Sequence, residues 1–154
     1  MKARLFTLAV CFLLLLTVAT GCAGTPEKRF QIILTDTGET VLSESDIAAY
    51  LGDGTLELNQ RGIDKWNSFL THRDIPELAK TLHNREFVIK INDKEICHGK
   101  FWSMVSSASV NGVVILDSLL KLDAQNDTLQ ILSTYPARDP LQPAIGAALE
   151  EFFK

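Results

Sequence analysis

Few residues of this chain are of types that do chemistry, and their spacing limits what they can do. The stretch "KINDKEICHGKFW", Lys90 to Trp102, sets a cysteine beside a histidine. A thiol and an imidazole in contact would make a nucleophile with its base, or half of a zinc site. Neighbours on a strand, however, project to opposite faces, so Cys97 and His98 cannot share a metal or pass a proton directly. The expected pair is a small buried thiol and a hydrogen-bonded strand histidine. The histidines stand at 72, 83 and 98, with no HxxxH, HExxH or CxxC spacing, so no metal site is nominated. "SMVSSASV" offers Ser103, Ser106, Ser107 and Ser109 without a GxSxG elbow. Such a loop usually serves as solvated connection or caps its own backbone. No glycine-rich phosphate loop occurs, and the acidic residues are scattered singly. No cofactor, no carboxylate pair and no catalytic residue is therefore nominated, and the chain is expected not to be an enzyme.

One segment invites a binding role instead. In "GKFWSMVSS" the rings of Phe101 and Trp102 alternate faces, so at least one belongs to a core. An exposed Trp102 rimmed by Ser106 and Ser107 would form a contact surface for a partner. The competing expectation is that both rings are buried.

These residues must be positioned by the elements around them. "RFQIILT" is rich in β-branched and aromatic residues and predicts a strand, followed by the turn "DTGE" with Gly38 free to take positive φ. In "VLSESDIAAYLG", Ser43 stands three residues before Asp46, and Ile47, Tyr50 and Leu51 follow at helical spacing. The pattern predicts a short helix ending at Gly52. "TLELN" alternates as a strand. Asn59 then caps the helix "QRGIDKWNSFL", whose apolar stripe is Ile63, Trp66, Phe69 and Leu70. Gly62 in its first turn costs about 1 kcal/mol against alanine and marks a close backbone approach. "DIPELAKTLHN" predicts a further helix from Asp74 to Asn84. "REFVIKINDKEICHGKFW" predicts a hairpin turning at Asn92-Asp93, with Lys90 opposite Glu95 and Ile89 opposite Ile96. Val113 to Leu122 reads as a strand with a short helical turn, and "DTLQILSTYP" as a last strand. Asp139 caps a closing helix with Leu141, Ile145, Leu149 and Phe152 facing in. Strands and helices interleave without strict βαβ repetition. The expected fold is one α+β domain, with a mixed or antiparallel sheet and helices packed on one face.

The chain opens on an address. Lys2 and Arg4 precede an apolar run, Leu5 to Val18, of about 14 residues, short of the roughly 20 a bilayer span needs and typical of a secretory leader. Ala19-Thr20-Gly21-Cys22 resembles the bacterial lipobox, which implies cleavage after residue 21 and acylation of Cys22. Ala19 stands where leucine is commoner, and Ala23 is not the aspartate that holds many lipoproteins at the inner membrane. The expected organisation is a signal peptide over 1–21, an anchor and tether over 22–28, and one domain over 29–154. The expected location is the outer membrane, facing the periplasm. Removing Lys2 and Arg4 with the leader makes the formal charge of −4 two units more negative. Such a surface repels phosphate backbones, and no basic stripe offsets it, so nucleic acid is excluded as a partner. With Cys11 in the leader and Cys22 acylated, Cys97 is left without a disulfide partner.

"LSESDIAAY", "GTLELNQRGIDKW" and "FVIKINDKEICHGKFW" together resemble the small α/β unit in the first periplasmic domain of SecD, a preprotein-translocase subunit. The matching residues are Leu56, Leu58, Gly62, Lys65 and Trp66, then the strand Phe87 to Ile91 and the turn Asn92-Asp93, within 41–102. The chain departs from SecD in carrying no further apolar span. It looks closer to stand-alone bacterial lipoproteins with an "LTxxG...FVVxVNGExIYxGxFWSxxSS" pattern. The resemblance implies a fold and a periplasmic address, and it carries no functional residue across. The leading expectation is a non-enzymatic accessory module. It would bind an envelope protein or extended polypeptide at a sheet edge beside the aromatic-serine segment. The alternatives are an envelope hydrolase joining His98 to a serine from Ser103 to Ser107, and a purely structural tether.

Overall fold

The computed structural model describes residues 28–69, 82–117 and 122–154. The expected leader over 1–21, Cys22, residues 23–27 and the segment 74–81 of the expected third helix lie outside the described residues. Among the described residues eight strands form one sheet: β1 Phe30–Leu34, β2 Thr40–Ser43, β3 Ile47–Gly52, β4 Thr55–Leu58, β5 Glu86–Ile91, β6 Lys94–Ser103, β7 Val110–Asp117 and β8 Thr128–Tyr135. Two helices accompany them among the described residues, α1 Gln60–Ser68 and α2 Pro143–Phe153. The strand order is β2-β1-β5-β6-β7-β8-β4-β3, and every pair is antiparallel except β6 with β7. The strands at the two ends of that order, β2 and β3, are joined by only the 3-10 turn Glu44–Asp46. A flat sheet cannot bring its two edges that close. The sheet therefore curls into a half-barrel, and the fold is a strand-rich α+β domain.

Asp46 holds the corner where the edges meet. Its carboxylate is fully buried and accepts from the Ser43 amide and hydroxyl, both at 2.8 Å. Lys65 Nζ lies 3.2 Å from one oxygen and Arg61 Nε 3.0 Å from the other. The Asp46 carbonyl accepts from Asn59 N, and Asn59 Oδ1 in turn accepts from Gly62 N at 3.0 Å, so corner and helix cap are one network. Gly62 is where the helix touches the corner: a Cβ there would sit 2.1 Å from the Asp46 carbonyl oxygen. The close approach expected of that glycine is present.

Inside the curl, Phe30, Ile32, Leu34, Ile89, Phe101, Ile131, Trp66 from α1 and Leu149 from α2 belong to one buried cluster. On the other side of the sheet a small cluster gathers Val114, Leu132 and Tyr135, with Trp102, Val110 and Leu116 packed on it.

Four sequence expectations change. The segment after Ser43 is a strand, not a helix: the Ser43–Asp46 pairing closes a single 3-10 turn. Gly52, Asp53 and Gly54, all at positive φ, then turn β3 back against β4 in a hairpin. Lys90 opposes Glu95 as expected, but Ile89 opposes Cys97, because a bulge at Ile96 shifts the register and both Ile96 and Cys97 pack on the main core. Asp139 does not cap the closing helix. It pairs with Thr134 instead, whose hydroxyl donates to Oδ2 at 2.8 Å, and Pro140 keeps it out of helical geometry. The helix starts at Pro143 with Gln142 as its cap residue, while Leu141, Ile145 and Leu149 face in as expected. Residues 82–84 are a turn with Asn84 at φ 62°.

Candidate functional site

The sheet ends in two edges, and β3 is the longer. Its residues are Ile-Ala-Ala-Tyr-Leu-Gly, without a charge or a proline. Natural edge strands are usually blunted by lysine, proline, brevity or bulges. Of these devices β3 carries only the last, two irregularities in its pairing with β4. Ile47 is buried against the core and Tyr50 stacks on Phe153 of α2 at 6.2 Å, so the strand is held from within. Tyr50 Oη also accepts from Gly54 N at 3.0 Å, which ties the strand to its own turn. Outward, Ala48 is exposed and Leu51 keeps 58% of its surface in solvent. Among the described residues, Ile47 N donates to Glu44 O at the end of the 3-10 turn, and no backbone hydrogen bond outside the sheet ladders uses residues 48–52. Among the described residues nothing pairs with the free side of β3, so from Ala48 onward it offers open main-chain donors and acceptors around one exposed leucine.

The aromatic-serine segment lies elsewhere. β6, which ends in it, is an interior strand flanked by β5 and β7, so no sheet edge adjoins Trp102. This corrects the expected docking surface. Phe101 is fully buried between Phe87 and Trp66, while Trp102 points to the other face, half-buried over the small cluster. Its ring meets His83 at 4.8 Å, and its Nε1 has no hydrogen-bond partner among the described residues.

Residues 104–109 form an unusually short crossover. Ser103 lies beside Asp117, so the chain must return the length of β7, roughly 23 Å at about 3.3 Å per residue, before β7 can begin parallel to β6. Parallel neighbours normally take a dozen residues or more for this. The strap is pinned by Tyr135 Oη, which donates to the Met104 carbonyl at 2.8 Å, and leaves Met104 and Val105 half in solvent. Ser106 serves the strap itself: its amide donates to Ser103 O, and its hydroxyl accepts from Ala108 N at 3.2 Å. Ser107 is exposed.

Cys97 and His98 diverge. Cys97 packs on the main core, and burial pushes its thiol up to about 11. His98 is opposite Val88, exposed on the other face, with Nε2 3.4 Å from Glu95 Oε2. The bulge at Ile96 puts His98 on the Val88 face rather than the Ile89 face that an unbroken hairpin would give. The cavity at His98, about 350 Å³, is lined by Glu86, Lys100, Asn111 and the bulged Gly112 among others, and by no serine. The geometry therefore does not join His98 to Ser103, Ser106 or Ser107. Among the described residues, no group of three or more His, Cys, Asp or Glu side chains could hold a metal ion.

The β3 edge was missed in the sequence because Ser43-x-x-Asp46 reads as a helix start. The signal that would have found it is the turn "GDG" between two short apolar runs, together with the absence of any polar helix face in Ile47 to Gly52. Comparison with family models, curated proteins and solved structures finds no match to this chain.

Proposed function

We propose that this chain is a lipoprotein of the bacterial envelope, acylated at Cys22 and held on the outer membrane facing the periplasm. Its domain, with both helices on one face of the sheet and a unit like that of SecD over 41–102, acts as a non-enzymatic accessory module. It binds an envelope protein or an extended polypeptide by strand addition. The observation that carries this reading is the β3 edge: six residues without charge, main-chain groups that no described residue pairs on the outer side from Ala48 onward, and an exposed Leu51. An added strand satisfies those groups, and the alternate side chains of the guest read the pockets beside it. The lipobox and the acidic surface support the address and the exclusion of nucleic acid.

The test places a photocrosslinking residue at Leu51, and separately at Ser107, in the full chain within its host. A discrete protein adduct from position 51 alone supports strand addition at β3. An adduct from position 107 alone moves the docking surface to the strap and refutes the edge. No adduct from either position, where known envelope complexes are captured, refutes the binding module. Intact mass and membrane partition of wild type and Cys22→Ser test the anchor separately.

A further inference from the structure

A second concave feature lies away from β3, where the N-terminal end of the domain meets the hairpin turn and the C-terminal half of α2. It is a cleft of about 550 Å³. Its floor is apolar, from Ile91, Ile96 and Phe152, and the bulge that displaces Ile96 is what supplies one wall. Its rim carries Lys28, Lys94 and Glu151. Neighbouring charges are paired: Arg29 with Asp93, Lys90 with Glu95, Glu150 with Lys154. The three rim side chains are not; none has an ion pair or hydrogen bond among the described residues. Two free ammonium groups and one free carboxylate over an apolar floor complement a ligand with an anion, a cation and a hydrocarbon portion.

Lys28 also fixes where that ligand comes from. It stands directly after residues 22–27, which span at most roughly 20 Å when fully extended. Under the anchoring proposed above, on which this inference rests, the cleft stays within roughly 20 Å of the bilayer that holds Cys22, close enough to reach its headgroups. We infer that the cleft binds the headgroup of a zwitterionic phospholipid, its phosphate between Lys28 and Lys94 and its primary ammonium on Glu151. The first acyl methylenes lie on Ile91, Ile96 and Phe152. Phosphate and carboxylate contacts of this type are charge-assisted hydrogen bonds, and a primary ammonium can donate to Glu151 where a quaternary one cannot. Seating a lipid there fixes the stance of the domain on the membrane.

The experiment reconstitutes the full-length protein processed by its host, with a photocrosslinker at Ala148 inside the cleft or at Gln125 outside it. The vesicles contain phosphatidylethanolamine, phosphatidylcholine or phosphatidylglycerol. The expected result is lipid capture from position 148 only, with phosphatidylethanolamine preferred over phosphatidylcholine by about tenfold, the factor that one charge-assisted hydrogen bond supplies. Lys94→Gln weakens capture of every lipid, whereas Glu151→Gln removes the preference and leaves phosphatidylglycerol capture intact. Equal capture of the three lipids, stronger capture of phosphatidylglycerol by the unsubstituted protein, or equal capture from position 125 overturns the inference. Intact mass of the same sample reports acylation at Cys22. If the anchor is absent, monomeric dihexanoyl forms of the three lipids test the cleft by the same criteria.

Discussion

Replacing Gly62 by alanine sets two opposing effects against each other, and the structure decides the sign. In an exposed helix the change would stabilise by about 1 kcal/mol, the propensity difference between the two residues. Here the new Cβ would lie 2.1 Å from the Asp46 carbonyl oxygen, 3.0 Å from its carbon and 3.2 Å from Leu58 Cβ. Two of these contacts are with backbone, which cannot swing aside as a flexible side-chain end would. Relief requires helix and corner to part by about 1 Å. That separation weakens the Asn59 N to Asp46 O bond, and the cap bond from Gly62 N shifts with it. Overpacking costs about 1–3 kcal/mol and a lost hydrogen bond roughly 1 kcal/mol more. The clash therefore outweighs the propensity gain, and the expected result is a net loss of about 2 kcal/mol. Urea unfolding followed by circular dichroism of wild type and Gly62→Ala measures it, with unchanged m-value as the check that only stability moved. A neutral or stabilised variant would refute the close corner and with it the curl that brings β2 to β3.

Two further outcomes follow from ionisable groups. Burial raises the pKa of Asp46, but the hydrogen bonds from Ser43 and the charge of Lys65 outweigh it and hold the carboxyl below its ordinary value. A lowered carboxyl pKa contributes stability that is present above about pH 4 and lost as pH falls through the native value. Asp46→Asn is therefore expected to unfold more easily at pH 7, by about 2 kcal/mol, and to show a shallower acid limb below pH 4 in thermal melts. An unchanged acid limb sinks that account. The Cys97 thiol moves the other way, from near 9 to about 11 through burial. The fold then prefers the protonated thiol, a contribution present below pH 9 and lost as pH climbs toward 11. At pH 8 its thiolate population is about a hundredfold below that of the unfolded chain, so a thiol-specific chromogenic reagent labels native protein correspondingly slowly. Equal labelling rates in buffer and in denaturant would show that Cys97 is not held against the core.

The parts legible in the sequence are those where local chemistry and tertiary structure agree. Asn59 caps α1 because its short acceptor reaches Gly62 N, and nothing downstream competes. Asn92 and Asp93 take φ of 49° and 65°, the left-handed pair that a two-residue hairpin turn demands. The illegible parts are those where distant strands decide. Ser43 and Asp46 satisfy a helix-start pattern, yet pairing with β4 outweighs it, and Leu58 opposite Ile47 is visible only after β4 has folded back. The bulge at Ile96 is likewise hidden: alternation predicts one face for each residue, and only the core shows that Ile96 and Cys97 share one. That single residue decides which face receives His98, so the sequence-level site shifted with it. The sheet order was beyond reach for the same reason. Nothing local says that the strand ending in Trp102 will be interior, or that β2 and β3, three residues apart, will be opposite edges.

The curl also sets the distance between the two proposed sites. Phe30 at the start of β1 packs edge-on against Phe153 at 5.2 Å, and Phe153 stacks on Tyr50 of β3 at 6.2 Å. Phe152, the next ring along α2, lines the cleft. A continuous run of rings thus connects β1, the helix that walls the cleft and the β3 edge. Aromatic contacts of this kind are worth about 0.5–1.5 kcal/mol each beyond the area they bury, and here the buried Phe30 anchors three half-buried rings. If the cleft seats a lipid as proposed, contact with Phe152 would couple that lipid to the position of β3 through these rings. Loss of the Phe153 ring would uncouple the edge from the cleft and also loosen Tyr50 of β3, which stacks on that ring. Guest binding at the membrane surface is then expected to fall further than guest binding in solution.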